Sequence, residues 1–163
     1  MKHMKIIVTG GHVTCALALA PFLTKSHKLL FIGRKYAFEG DNTVSFEYQT
    51  IQSLKIPFAT ISTGRLQRRF TRYTITSLLK FPLGFFQAFV ILLGFKPDVV
   101  LSFGGYVALP VCLAAFILGI PIVIHEQTAS KGGLVNRITA RLATKVCVSF
   151  KKSLVLYGSK SNF

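Results

Sequence analysis

Short runs of β-branched and apolar residues alternate along the chain with longer stretches of helix-forming residues. The apolar runs predict strands at 5–9, 28–33, 58–62, 98–103, 122–125 and 145–149. The stretches between them predict helices at 13–26, 44–54, 72–80, 83–95, 106–118 and 134–143. Because strands joined through helices pair in parallel, this alternation predicts an α/β fold with a parallel sheet and helices on both faces.

The first predicted strand ends in a glycine-rich turn, Thr9-Gly10-Gly11-His12, before a helix rich in Ala and Leu. In a parallel sheet such a turn lies at the carboxyl ends of the strands, where ligands bind. Backbone N–H groups of Thr9, Gly10 and Gly11 at the start of a helix suit a phosphate group. The alternative is that the glycines only allow a tight turn.

Two later strands end in similar turns. These are Gly104-Gly105-Tyr106 and His125-Glu126-Gln127-Thr128. Since the carboxyl ends of parallel strands share one edge of the sheet, the three turns together predict a ligand site. Neither GxGxxG nor a Walker A sequence is present, which argues against an NAD enzyme, a P-loop NTPase and an unrelated nucleotide-binding protein of this fold.

The charge of the chain is strongly unbalanced, with 20 Lys and Arg against 5 Asp and Glu, a net charge of +15. Such a charge indicates an anionic partner. Hydrophobic residues make up 51% of the chain, which favours an anionic membrane surface over nucleic acid. Cys15, Cys112 and Cys147 lack metal-ligand spacing, so we expect buried, reduced thiols in a cytoplasmic protein and no metal site.

A basic segment precedes the most apolar part of the chain. Arg65, Arg68, Arg69 and Arg72 recur at helical spacing, and Phe81, Phe85 and Phe86 follow them. This pattern predicts a membrane-surface anchor, with a solvated basic face or a nucleic-acid site as the alternatives. Residues 75–95 are long enough to span a bilayer, but Lys80 and Pro82 interrupt them, which favours two helices lying against the sheet or the membrane.

Three stretches, "TGGHVTCALALA", "KPDVVLSFGGYVALPVCLAA" and "GIPIVIHEQ", resemble in this order the N-terminal half of the MurG family of glycosyltransferases. The resemblance implies a GT-B fold, in which a Rossmann-like acceptor domain (1–150) touches the cytoplasmic face of the cell membrane peripherally. Residues 151–163 would begin the connection to a donor domain, in the same or a separate chain. The implied reaction is inverting transfer of GlcNAc from UDP-GlcNAc to a lipid-linked pyrophosphate acceptor, without a metal or other cofactor.

The resemblance gives roles to the residues of the three turns. His12 is the candidate base, with ordering of the glycine turn as the alternative. Glu126 is assigned to catalysis, by binding the acceptor or orienting His12, with an ion pair to Arg34 or Arg137 as the alternative. The substrate-binding candidates are Thr9, Gly10, Gly11, Gly104, Gly105, Tyr106, Gln127 and Thr128; Tyr106 has the alternative of a simple aromatic at a helix start.

The sequence departs from the family pattern at four positions. Ile7 and Val8 replace two glycines, Cys15 replaces a proline, and Thr128 replaces an asparagine that contacts the donor. These departures support a second hypothesis, in which the chain is a membrane-bound, non-catalytic half that recruits a separate donor-binding subunit.

Overall fold

The computed structural model describes residues 3–11, 13–37, 42–64, 72–129 and 133–163, and for residues 72–79 it describes the backbone alone. The strands are β1 (Lys5–Thr9), β2 (Lys28–Gly33), β3 (Phe58–Thr60), β4 (Val99–Ser102), β5 (Ile122–Glu126), β6 (Lys145–Val148) and β7 (Ser161–Asn162). The α-helices are α1 (Val13–Leu23), α2 (Phe46–Ser53), α3 (Arg72–Phe95), α4 (Ala108–Ile117), α5 (Leu134–Thr139) and α6 (Leu154–Tyr157).

The strands form one parallel sheet in the order β3-β2-β1-β4-β5-β6-β7, which confirms the predicted Rossmann-like α/β fold. Strands β1 and β2 have the predicted bounds, and β3 to β6 end within two residues of prediction. Helices α1 and α5 end three and four residues early, and α4 starts two residues late. Hydrophobic periodicity fixes the existence of an element better than its ends, since terminal turns fray.

Both faces of the sheet bury apolar side chains, because successive residues of a strand point to opposite sides. In β1, Ile6 and Val8 pack in the cluster that includes Ala16 of α1, whereas Ile7 belongs to the opposite cluster, with Leu92 of α3 and Val111 of α4. The sequence pattern therefore places two hydrophobic layers around one sheet.

An open apolar groove of about 510 Å³ lies on the α1 face, bordered by α1 and by residues of β4, β5 and β6. Its lining includes Leu19, Phe22 and Leu101. All three cysteines are free, but only Cys112 is fully buried. Cys15 and Cys147 are partly buried and line this groove, so the expectation of three buried thiols is correct for Cys112 alone.

The apolar region after the basic segment forms one helix, α3, so the predicted break at Pro82 is wrong. Proline inside a helix costs about 3 kcal/mol, because it lacks an N–H and crowds the preceding turn. Packing offsets this cost: Ala88 and Leu92 are fully buried, and Gly84 lies so close to Ser62 that a Cβ would collide with its carbonyl. No helix in the described part of the chain is long and apolar enough to cross a membrane.

The polar tail packs on the edge of the sheet. Two short 3-10 turns (Lys151–Ser153 and Gly158–Lys160) flank α6, and β7 pairs with β6. The buried Ser153 donates its hydroxyl hydrogen bond to the carbonyl of Thr128 at 2.8 Å. The packed unit therefore includes residues beyond 150, as far as Asn162.

Candidate functional site

The strand order reverses between β1 and β4, and the glycine turns follow these two strands. Strand β1 leads to β2 and β3 on one side, whereas β4 leads to β5, β6 and β7 on the other. Ligands of open α/β sheets bind in the crevice that such a reversal creates. The turn after β5 lies next along the same edge, so the structure places the three predicted turns at one edge of the sheet, where the first two are in contact.

The two glycine turns touch each other through their backbones. A Cβ on Gly105 would lie 2.6 Å from the Cα of Gly11, and a Cβ on Gly11 would collide with the carbonyl of Gly104. Gly104 (φ 83°) and Gly105 (φ 77°) also have left-handed backbone conformations, which favour glycine. Close approach of the two turns, and not a tight turn alone, therefore requires glycine here.

The first turn offers fewer free backbone donors than the sequence predicted. Thr9 is fully buried within β1, and its hydroxyl has no hydrogen-bond partner in the described part of the chain. The N–H of Gly10 donates to the carbonyl of Ile32 at 3.4 Å. Gly11 is exposed, so it is the residue of this turn best placed to meet a ligand. His12, the candidate base, lies outside the described residues.

Two other predicted binding residues, Tyr106 and Gln127, differ in their exposure. Tyr106 lies in the turn before α4, which begins at Ala108, and the tyrosine is 39% exposed at the crevice. It is therefore not the first residue of the helix, as the sequence predicted. Gln127 has both amide atoms buried without a hydrogen-bond partner among the described residues. The Gln127 side chain nevertheless acts on the neighbouring His125 as a hydrogen-bonding group that raises its pKa, so the amide by itself does not indicate a ligand contact.

Glu126 is fully buried at the end of β5, and five donors surround its carboxylate. Oε1 accepts from the N–H (2.9 Å) and the hydroxyl (2.6 Å) of Thr128. Oε2 accepts from the N–H of Gly133 (3.2 Å), the amide of Asn136 (3.0 Å) and the hydroxyl of Tyr157 (2.7 Å). These donors are neutral groups, whereas the sequence offered the guanidinium of Arg34 or Arg137 as the alternative partner. We call Glu126 and the four residues that donate to it the Glu126 network.

The Glu126 network sets the charge state of the carboxylate. Burial alone would raise the pKa of Glu126, but the hydrogen bonds from Thr128, Tyr157 and Asn136 outweigh burial and lower it. Burial and the nearby carboxylate raise the pKa of Tyr157. With both oxygens engaged, Glu126 holds the turn after β5, α5 and α6 together, and the hydroxyl of Thr128 is occupied in this network.

His125 is a partly buried residue of the same strand. Its Nε2 lies 3.1 Å from the hydroxyl of Ser149, and its ring centroid lies 5.5 Å from that of Phe103. Burial lowers the pKa of His125, although the charge of Glu126 opposes this effect. These contacts agree with a structural role for this histidine.

A pocket of about 270 Å³ lies between the two glycine turns. Its lining includes both turns together with Arg34, Tyr36, Ser45, Glu47 and Tyr106. We call it the turn pocket. Glu47 is the residue that sequence reasoning missed, because nothing in the polar pattern of α2 distinguishes it from a solvated glutamate. Its presence among only five acidic residues was the available clue.

The exposed face of α3 is apolar. Leu83 (52% exposed), Phe86 (64%), Val90 (66%) and Leu93 (49%) recur at helical spacing, and we call them the α3 stripe. Of the predicted membrane residues, Phe86 belongs to the stripe, Phe81 is half-buried, and Phe85 packs against the core. Arg65, Arg68 and Arg69 lie outside the described residues, and Arg72 begins α3 without a described side chain.

The chain matches a known protein family over most of its length. Residues 4–148 match the glycosyltransferase family 28 N-terminal domain. A Clostridium kluyveri protein is 41% identical over 154 residues, and one from Clostridium botulinum is 38% identical over 159. Both are named UDP-N-acetylglucosamine–N-acetylmuramyl-(pentapeptide) pyrophosphoryl-undecaprenol N-acetylglucosamine transferase. These matches cover 92% and 94% of this chain but only 41% and 42% of the relatives.

Solved structures show the same fold. The crystal structure of Acinetobacter baumannii MurG superposes with a TM-score of 0.72 at 30% identity, over 91% of this chain and 42% of that one. The UDP-GlcNAc 2-epimerase of Neisseria meningitidis superposes with a TM-score of 0.65 at 18% identity, over 94% and 42%. The second likeness concerns the fold alone.

Proposed function

We propose that this chain, which belongs to the glycosyltransferase family 28 N-terminal domains, is the acceptor-binding half of an inverting glycosyltransferase. The reaction is transfer of GlcNAc from UDP-GlcNAc to an undecaprenyl-pyrophosphate-linked N-acetylmuramyl peptide, the transfer for which its clostridial relatives are named. The observation that carries this proposal is the contact between the two glycine turns, which forms the turn pocket at the reversal of strand order.

The transfer is a single displacement at the anomeric carbon. The C4 hydroxyl oxygen of the acceptor sugar forms a bond to C1 of GlcNAc, and UDP leaves with the electron pair of the broken C1–O bond. A base takes the hydroxyl proton, and we assign this role to His12, which follows Gly11 in the sequence. The exposed Gly11 lies beside the crevice, where its N–H suits an acceptor phosphate.

In this proposal Glu126 holds neighbouring residues in place and does not itself contact the substrate. Its carboxylate already accepts five hydrogen bonds, so it fixes the turn that presents Gln127. Gln127 is the residue of this turn that we assign to substrate contact, because its side chain takes no part in the Glu126 network. Thr128 contributes its backbone and hydroxyl to the network, so its substrate contact is the weakest of the sequence assignments.

The chain spans about two fifths of the length of the relatives it matches. We assign UDP-GlcNAc to a donor domain in the same or a separate chain, and we expect no transfer by these 163 residues alone. No metal or other cofactor has a role in the proposed reaction. The competing proposal is a membrane-bound, non-catalytic half that recruits a donor-binding subunit, favoured by Thr128 where the family has asparagine.

Peripheral attachment to the cytoplasmic face of the cell membrane completes the proposal. The α3 stripe offers an exposed apolar face, and a net charge of +15 attracts anionic lipid. Attachment there would bring the crevice to an acceptor whose lipid tail stays in the bilayer. Nucleic acid has no role in this account.

Acceptor binding is tested by calorimetric titration with a water-soluble, short-prenyl analogue of the pyrophosphate-linked N-acetylmuramyl peptide. We expect saturable binding by the natural chain and at least tenfold weaker binding by Gly105→Ala, because the new Cβ meets Gly11 at a left-handed φ. Tyr106→Ala, at an exposed position, should weaken binding several-fold. Gly94→Ala is the matched control, since a Cβ there meets nothing within 4 Å. Binding of UDP-GlcNAc without binding of the analogue would contradict the proposal.

A further inference from the structure

Glu47 points from α2 toward the first glycine turn. The helix begins after Ser45, whose hydroxyl accepts from the N–H of Tyr48 at 3.1 Å and donates to the carbonyl of Arg34 at 2.7 Å. These bonds fix the start of α2 on the end of β2. A Cβ on Gly10 would collide with the carboxyl of Glu47, and one on Gly33 would lie 3.0 Å from its Oε1. The two glycines thus leave the space that this carboxyl occupies.

The carboxyl of Glu47 lacks the donors that Glu126 has. Its Oε1 is buried and has no hydrogen-bond partner among the described residues. Burial raises the pKa of Glu47 to about 7, although the charge of Arg34 opposes this effect. Buried polar atoms are almost always paired in native proteins, so an unpaired carboxyl oxygen beside a pocket indicates a donor supplied by a ligand.

The other groups of the turn pocket suit an uncharged ring with hydroxyl groups. Tyr36 and Tyr106 are 40% and 39% exposed, so their ring surfaces are available for contact. Arg34 and Ser45 line the same space, and about 270 Å³ is enough for one sugar ring. The charges of Glu47 and Arg34 offset each other in this space, so the pocket suits a neutral sugar ring better than a phosphate.

We propose that Glu47 is a substrate-binding residue of the acceptor site, whose carboxyl accepts a hydrogen bond from a hydroxyl group of the acceptor sugar held in the turn pocket. This inference rests on the proposed function and specifies which part of the acceptor each region of the site binds. The turn pocket takes the sugar ring, and the exposed Gly11 faces the pyrophosphate. An ionised carboxylate is the stronger acceptor, so binding tightens as Glu47 loses its proton.

Among the described residues, the other ionisable groups around the pocket are Arg34, Tyr36 and Tyr106. Tyr48 lies on the same helix as Glu47, and Lys35 lies over the rings of Tyr36 and Tyr48. Glu47 is the one carboxyl group that lines the pocket in the described part of the chain. His12 follows Gly11 in the sequence and can titrate in the same pH range. The pH profile of the natural chain alone therefore cannot assign the titration to Glu47. The comparison with Glu47→Gln decides it.

The test is the same calorimetric titration, carried out at pH 6 and pH 8 with the soluble acceptor analogue. We expect the natural chain to bind about threefold or more tightly at pH 8 than at pH 6, and Glu47→Gln to lose most of this difference. Glu47→Ala should bind at least tenfold more weakly at pH 8. Asp98→Asn is the control, because it removes one negative charge at an exposed position beside β4, where Asp98 accepts from the N–H of Lys5.

Three results would overturn the inference. The inference would be overturned, and the proposed function left intact, if both variants bound the analogue as tightly as the natural chain does and Glu47→Gln kept the natural pH dependence. Binding that weakens with rising pH, with the weakening removed by Glu47→Gln, would show that the carboxylate faces a phosphate. Absence of any binding by the folded natural chain would overturn the proposed function and this inference together. Circular dichroism of each variant establishes that it is folded.

Discussion

Two of the five acidic residues, Glu47 and Glu126, lie in opposite environments. Glu126 is fully buried with five donors, and its pKa is lowered. Glu47 is buried at one oxygen without a donor, and its pKa is raised to about 7. Hydrogen-bond donors decide the difference, because burial by itself disfavours the charged form of both. A satisfied carboxylate organises structure, whereas an unsatisfied one is available to a ligand.

Glu47 should make the free protein less stable as the pH rises. Its pKa is 4.5 in the unfolded reference and about 7 in the folded chain, so the folded state holds the extra proton between these values. The free energy of unfolding should fall by about 2 kcal/mol between pH 5 and pH 8, and Glu47→Gln should lack this contribution. Urea unfolding of both chains at several pH values measures it. If the free energy of unfolding changed equally with pH in the natural chain and in Glu47→Gln, the prediction would be refuted.

Removal of one donor from the Glu126 network should cost stability at neutral pH. Tyr157→Phe deletes the 2.7 Å hydrogen bond to Oε2 and should lower the free energy of unfolding by about 2 kcal/mol. Because the pKa of Glu126 is lowered in the folded state, the cost should shrink as the pH falls toward and below 4.5. Tyr106→Phe, at an exposed tyrosine, is the control in the same urea experiment. An equal, pH-independent loss in both variants would contradict this account.

At the scale of elements, α3 combines two functions in one helix. Its inner side, with Ala88 and Leu92, covers the sheet, and its outer side presents the α3 stripe. Neighbouring phenylalanines therefore differ in role: Phe85 packs inward, and Phe86 is exposed. The pattern of aromatic residues predicted a membrane contact without distinguishing the two sides.

The α3 stripe should determine attachment to lipid vesicles. Changing Phe86 and Val90 to Ser removes apolar surface from an exposed face and should reduce co-sedimentation with phosphatidylglycerol vesicles several-fold. Phe116→Ser is the control, because Phe116 is 54% exposed on a different helix, α4. Replacement of Arg65, Arg68, Arg69 and Arg72 by Ala should weaken binding at low salt more than at high salt. Undiminished binding by the stripe variant would exclude α3 as the contact.

At the scale of the whole molecule, the candidate site follows from the topology of the sheet. The reversal of strand order sets the ends of β1 and β4 side by side, although about 90 residues separate them along the chain. Glycine at both ends lets the two backbones touch and leaves the turn pocket beside them. The remaining three fifths of the relatives' length lies outside this chain, and we assign the donor nucleotide to it.

The sequence by itself determined six of the seven strands, most of the helices and the position of three turns at one edge of the sheet. Alternation of apolar runs and helical stretches is local, and parallel pairing then brings the strand ends together. The same reasoning placed Gly11, Gly105, Tyr106 and Gln127 at one edge of the sheet, because each follows a strand whose carboxyl end lies there. Of these, Gly11, Gly105 and Tyr106 line the turn pocket.

Only the tertiary structure decided the roles of individual side chains. It revealed Glu47 beneath Gly10 and Gly33, the five donors around Glu126, the continuity of α3 through Pro82, and the addition of β7 to the sheet. None of these has a local pattern, because each depends on how distant elements pack. Burial and hydrogen-bond partners set the charge of a carboxyl group, and both exist only after the chain has folded.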